Sequence, residues 1–183
     1  MAHDGPADDA GLGLAHGMVR LAPPTPRWAA LFDAEAAAVR AALAAHAPVV
    51  EHCGSTGVPG LPAKPILDLL VGVPAPLDVP ALARALAPLG YAHAPHAGVP
   101  GHEVFGKGDP RTHLLHVVPL HGDAWRRMLR FRDALRADAA LAAEYAALKR
   151  ALAARHPTER AAYTAGKDAF IARVLDAPHA PGT

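Results

Sequence analysis

Apolar positions change their spacing several times along this chain, and each change predicts an element. Trp28, Leu31, Phe32, Val39 and Leu43 recur at helical intervals, so one stripe of a helix faces inward. Thr25-Pro26 opens that helix, with proline in the first turn where no hydrogen-bonded donor is lost. It runs to about His46, and Pro48 ends it. Val49-Val50-Glu51-His52-Cys53 reads as a short strand. Pro65 through Val73 is almost unbroken in apolar character, the pattern of a strand covered on both faces. One charge, Asp68, sits inside it. Between the two strands, Gly54 through Lys64 holds three glycines and two prolines, which predicts no regular structure.

The chain continues with Asp78 as the N-cap of a helix through Ala87, stopped by Gly90. Tyr91 to Pro95 predicts a strand and Gly98 to Gly101 a loop. His102–Lys107 and Thr112–Leu120 predict a hairpin around Gly108-Asp109-Pro110. From Asp123 the period becomes helical, with segments at about 123–137, 138–155 and 158–175. Their apolar markers include Trp125, Leu135, Tyr145, Leu152, Tyr163 and Phe170. Residues 1–20 carry no periodicity and predict a loose tail, as do 177–183. Residues 21–176 form a single domain. Strands mixed with helices, followed by helices alone, indicate an α/β (α+β) architecture: a mixed sheet of four or five strands with a C-terminal helical segment.

Composition narrows the function classes. The chain has 183 residues and a hydrophobic share of 51%, enough for one domain with a real core. A net charge of +1 gives no sequence-wide basic field, so nucleic acid is not an expected partner. No apolar run approaches the ~20 residues needed to span a bilayer, and the first residues lack a signal-peptide pattern. One cysteine, Cys53, excludes a disulfide framework and a cysteine-based zinc site. A cytoplasmic protein without membrane partners is the expectation.

The chemistry concentrates between Glu51 and Asp68. A Gly54-Ser55-Thr56 turn after a strand can present backbone donors to a phosphate. Asp68, on the next strand, can hold Mg²⁺ or Mn²⁺ bridged to phosphate oxygens. Lys64, at the mouth of that strand, can meet phosphate as a point charge. A plain Gly/Pro turn with Asp68 capping or paired to an arginine fits the same residues.

Val50-Glu51-His52-Cys53-Gly54-Ser55-Thr56-Gly57-Val58-Pro59-Gly60-Leu61-Pro62-Ala63-Lys64-Pro65-Ile66-Leu67-Asp68 resembles the signature of the GrpB-like family of predicted nucleotidyltransferases. Arg111-Thr112-His113 with His116-Val117, Phe131-Arg132-Asp133 with Leu135-Arg136, and a C-terminal set including Tyr145, Lys149, Tyr163 and Lys167 are similar to later family motifs. The resemblance covers residues from about 20 to 176. It implies a nucleotidyltransferase-like fold and a nucleotide or other phosphorylated metabolite as ligand. It also implies an association with dephospho-CoA kinase, to which such domains occur fused. With the family match, Arg132 is expected to face the cleft and bind an anion.

One departure from nucleotidyltransferases matters. A second metal carboxylate belongs two residues after the first, on the same strand face, and that position here is Leu70. His116 is the expected replacement, giving a metal set of Asp68, His116, and Glu51 or His52. Imidazole in that set opens the site to Zn²⁺ or Ni²⁺ as well. Asp68 and His116 are the expected catalytic pair, with His116 supporting the metal or acting as a base. Two other readings stay open: a non-catalytic binding module, and an Asp/His metal enzyme of another class.

Overall fold

The computed structural model describes residues 11–95 and 101–177. The predicted elements form, with adjusted ends. Helix α1 (Arg27–Ala42) buries Trp28, Phe32, Ala36 and Val39. Strand β1 (Val49–Cys53) and strand β2 (Leu67–Val73) follow. Helix α2 (Val79–Leu86) is capped by Asp78, whose carboxylate accepts from the Ala81 amide at 2.9 Å. Strand β3 (Tyr91–His93) precedes the hairpin of β4 (Glu103–Lys107) and β5 (His113–Pro119). The C-terminal layer comprises α3 (Asp123–Ala137), α4 (Ala139–Arg155), α5 (Arg160–Ala165) and α6 (Asp168–Asp176).

Five strands make one sheet in the order β1-β2-β5-β4-β3. Only β2 and β5 pair in parallel; the other neighbours are antiparallel. The period of two divides each strand between two layers. Val50, Leu67, Leu69, Val71, Phe105, Leu115 and Val117 pack against α1 and α2. On the opposite face Cys53, Leu70 and Val118 pack against Trp125 of α3. Leu70, where a second carboxylate was considered, is therefore fully buried under a helix.

Three expectations need correction. Residues 11–20 were expected to be loose, yet Leu12, Leu14 and Val19 are buried. Leu14 bridges Arg111, and the Val19 amide donates to the Pro157 carbonyl at 2.8 Å. Each finds cover in a different place: Leu12 in the core under α1 and α2, Leu14 beside Ile66, Val104 and Leu114, and Val19 against Leu152 and Tyr163. Residues 1–10, 96–100 and 178–183 lie outside the described residues, with most of the loop expected from Gly98. The last predicted helix is two helices. A Cβ on Gly166 would come within 2.4 Å of Leu152 Cδ2, so the chain passes close to α4 there and restarts after Lys167. Finally, Ser55–Gly57 forms one 3₁₀ turn inside the glycine-proline loop.

Gly72 sets how closely α3 approaches the sheet. A Cβ there would lie 2.7 Å from Trp125 Cζ3 and 2.6 Å from Leu120 Cδ1. Gly72→Ala is expected to cost about 2 kcal/mol through overpacking, or about 4–8 °C in Tm, measured by thermal unfolding.

Candidate functional site

The site begins at the sharp exit from β1. Gly54 takes φ 63° and ψ −169°, a conformation that side chains resist. A Cβ at Gly54 would lie 2.3 Å from Asp68 Oδ2. The carboxylate therefore rests directly on the turn, in register with Cys53 across the β1–β2 ladder. Only glycine leaves that space.

Arginines of α3 hold the turn in place. Arg132 Nη1 donates to the His52 carbonyl at 3.0 Å and to Glu51 Oε2 at 2.8 Å, while its Nε donates to Asp133 Oδ1 at 2.7 Å. Burial opposes its charge, but the hydrogen bonds to Asp133 and Glu51 prevail and raise its pKa. Arg136 donates to the Gly57 carbonyl from Nε at 2.8 Å and from Nη2 at 2.6 Å. These charge-assisted bonds satisfy carbonyls that a turn leaves without strand partners.

Beside the turn, His116 Nε2 lies 3.5 Å from Asp68 Oδ1, and His116 Nδ1 lies 3.5 Å from His102 Nδ1. Burial and the His116 charge lower the His102 pKa to about 4. Burial alone would raise the Asp68 pKa. The hydrogen bond and charge of His116, with Lys64 and Lys167, reverse this and hold it below the usual value. Asp68 is thus an anion with 28% of its side chain still exposed.

Three lysines converge on the same place. Lys64 and Lys167 lie over the Tyr163 ring, 5.6 and 4.8 Å from its centroid. Lys149 Nζ donates to Ser55 Oγ at 2.9 Å and to the Pro62 carbonyl. Among the described residues none of the three makes an ion pair. Lys107, the fourth lysine of the chain, does: it donates to both Glu35 oxygens at 2.8 Å. Burial, with Arg160 and Lys167 nearby, lowers the Lys64 pKa to about 8. Burial and neighbouring cations lower Lys149 to about 7, and burial also lowers Lys167.

The sequence-predicted residues divide cleanly. Gly54, Ser55, Lys64, Asp68 and His116 gather around the turn and the Asp68 carboxylate. His52 and Thr56 do not. The period of two turns His52 to the opposite face, where it stacks on Phe32 with ring centroids 4.4 Å apart and its Nε2 meets Thr56 Oγ1 at 3.0 Å. Glu51 and Arg132 bind each other, so Glu51 is not a free metal ligand and Arg132 is not a free anion receptor. Arg132 also binds Asp133, its neighbour in sequence. Among the described residues no group of three or more His, Cys, Asp or Glu side chains is placed to hold a metal ion.

Sequence reasoning missed three participants. His102 had a usable signal: hairpin pairing sets Val104 opposite His116, which makes His102 a diagonal neighbour on the same face. Lys149 and Lys167 had another. The chain uses arginine for 14 of its 18 cations, so its few lysines stand out from the surface charge.

With the geometry in view, comparison with known proteins decides the family. The family model described as GrpB protein matches residues 18–177. This chain belongs to the GrpB family. A GrpB relative, the glutamate-rich protein GrpB of Alkalihalophilus pseudofirmus, is 35% identical over 90% of this chain and 98% of its own length. A UPF0157 protein of Pseudomonas aeruginosa is 46% identical over 86% of this chain, which spans 66% of that relative's length. The crystal structure of the conserved protein GrpB from Enterococcus faecalis superposes with a TM-score of 0.77 at 36% identity. The match covers 85% of this chain and 94% of that one. The mixed α+β fold of the GrpB family is therefore the fold of this chain.

Two outcomes are expected from the site's construction. Gly54→Ala forces Asp68 off the turn and is expected to cost about 1–3 kcal/mol, seen as a lower urea midpoint. The second is a pH effect at His52. Burial lowers its pKa from 6.5 to about 4, so the unfolded chain binds a proton that the folded chain refuses. Its stabilisation is complete above about pH 6.5 and is lost as pH falls toward 4. Urea titrations at pH 7 and 4.5 should show wild type losing about 2–3 kcal/mol more than His52→Gln.

Proposed function

We propose that this chain binds a phosphorylated metabolite of the nucleotide type in the cleft between the Gly54–Gly57 turn and helices α4–α6. One observation carries the reading: three of the four lysines meet there around a single carboxylate, Asp68, and among the described residues none of them is within ion-pair distance of it. Half-buried ammonium groups that outnumber the carboxylates beside them are costly, and a phosphate group supplies the missing charge. Lys64, Lys167 and the Ser55 hydroxyl are the groups that would touch it. Lysine suits this role because its compact charge reaches phosphate oxygens without the fixed fork of arginine.

A divalent cation fits beside Asp68 on limited terms. One ionised carboxylate, with the ligand's own phosphate oxygens and water, suits an oxygen-binding ion such as Mg²⁺ or Mn²⁺. Zn²⁺ and Ni²⁺ suit the donors less, because His52 faces away and Glu51 is taken by Arg132. His116, between Asp68 and His102, is placed to exchange a proton with a bound hydroxyl, which supports nucleotidyl transfer as a second reading. Leu70, buried under Trp125, supports binding without two-metal catalysis.

Thermal unfolding against nucleotides, coenzyme A precursors and pyrophosphate, with and without Mg²⁺ or Mn²⁺, tests the reading. A ligand at about 100 times its Kd stabilises by about 2.7 kcal/mol and should raise Tm by about 5–10 °C. Lys64→Ala and Lys167→Ala should reduce the rise, and Asp68→Asn should remove its dependence on the metal. No rise with any phosphorylated compound would overturn the reading.

A further inference from the structure

Lys149 differs from the other two lysines. It is the most deeply buried charged side chain among the described residues, at 1% exposure, so it cannot reach a ligand in the cleft. Its Nζ spans Ser55 Oγ at 2.9 Å and the Pro62 carbonyl, with the Tyr145 ring centroid 5.0 Å away. It joins α4 to the two ends of the loop between β1 and β2.

An ammonium has three protons and no lone pair, whereas a serine hydroxyl donates one proton and accepts at its lone pairs. If Lys149 donates to Ser55 Oγ, the serine's own proton must point elsewhere. Ser55 is half-buried on the turn against which Asp68 rests, so its hydroxyl keeps a solvent-facing side. A neutral lysine amine would instead accept the serine proton and turn the donor inward.

We propose that Lys149 is a positioning residue: by donating to Ser55 Oγ it commits the Ser55 proton to a phosphate oxygen bound in the cleft. The proposal rests on the reading that the cleft takes a phosphorylated ligand. It adds a control of that site by the charge on a residue that never touches the ligand. The groups acting on that charge are Lys167 of α6, Arg150 of α4 and Lys64 of the loop, which oppose it with burial, and Asp68 of β2, which supports it. Together they bring Lys149 to about 7, so it loses its proton just above neutrality.

The test is calorimetric titration of the full chain with inorganic pyrophosphate. Wild type, Ser55→Ala, Lys149→Met and the double variant are compared from pH 6 to 9. Each single variant should bind about tenfold more weakly at pH 6, the size of one charge-assisted hydrogen bond. The double variant should bind no more weakly than either single one, because both remove the same interaction. The ratio of wild-type to Lys149→Met affinity should fall as pH rises, since deprotonation removes the advantage. Taking a ratio cancels the titration of pyrophosphate and of Lys64. The ratio of wild-type to Ser55→Ala affinity should fall in the same way, which reads the effect without altering the lysine.

Wild-type affinity in Lys149→Met overturns the proposal. So does a multiplied loss in the double variant, or a ratio that stays flat with pH. If wild type binds no pyrophosphate at pH 6, the anion reading itself fails and this proposal falls with it.

Discussion

The site depends on two guanidinium groups that fasten the helical layer to the first strand. Arg132 and Arg136, one helical turn apart on α3, reach the His52 and Gly57 carbonyls on either side of the Gly54 turn. A glycine-rich turn at the edge of a sheet has few ways to stay in one conformation, because its backbone groups lack strand partners. Charged donors from a neighbouring helix supply them. Those bonds also bring α3, and with it α4 and α6, close enough for lysines to reach the turn. Removing them would loosen the anchor and scatter the cations together.

The division of labour between arginine and lysine follows from their chemistry. Arginine keeps its charge in any protein environment, so it suits permanent ties to carbonyls and carboxylates. Lysine loses its proton when burial becomes costly, so its charge responds to what binds nearby. Here the arginines of α3 hold structure, while Lys64, Lys149 and Lys167 surround the one exposed carboxylate of β2. A site built this way is short of negative charge. Asp68 alone balances only part of it.

The same layer explains why a two-metal arrangement does not form. Leu70 occupies the strand position where a second carboxylate would share a face with Asp68, and Trp125 of α3 packs against it. Gly72, two residues on, admits that ring. The face that could have carried negative charge instead forms apolar core, so Asp68 has His116 beside it, and His116 has His102. Among the described residues that row of side chains gathers no three metal-ligating groups on one point.

Much of this was legible in the chain. The apolar run of β2 with one charge in it marked both a buried strand and the place of its one carboxylate. The Gly54-Ser55 turn, Asp68, Lys64 and His116, singled out by residue type, spacing and the family resemblance together, lie near one another in the structure, because strand alternation and turn chemistry act over a few residues. The alternation also separates His113 from His116, as the structure has it: His113 lies near Glu35 on the α1 face. What failed were pairings between distant segments. Arg132 was read as an anion receptor because nothing in sequence says that Glu51, 81 residues away, will face it. His52 and Thr56 looked like site residues by proximity, yet one step along a strand reverses the face. Lys149, 94 residues from Ser55, became part of the site only when α4 packed over the loop. Local stereochemistry, carried by each short segment, determined the elements and the turn. Which charges meet across the cleft was decided by packing of the helical layer, because electrostatic partners are set by distance in space, which a sequence does not contain.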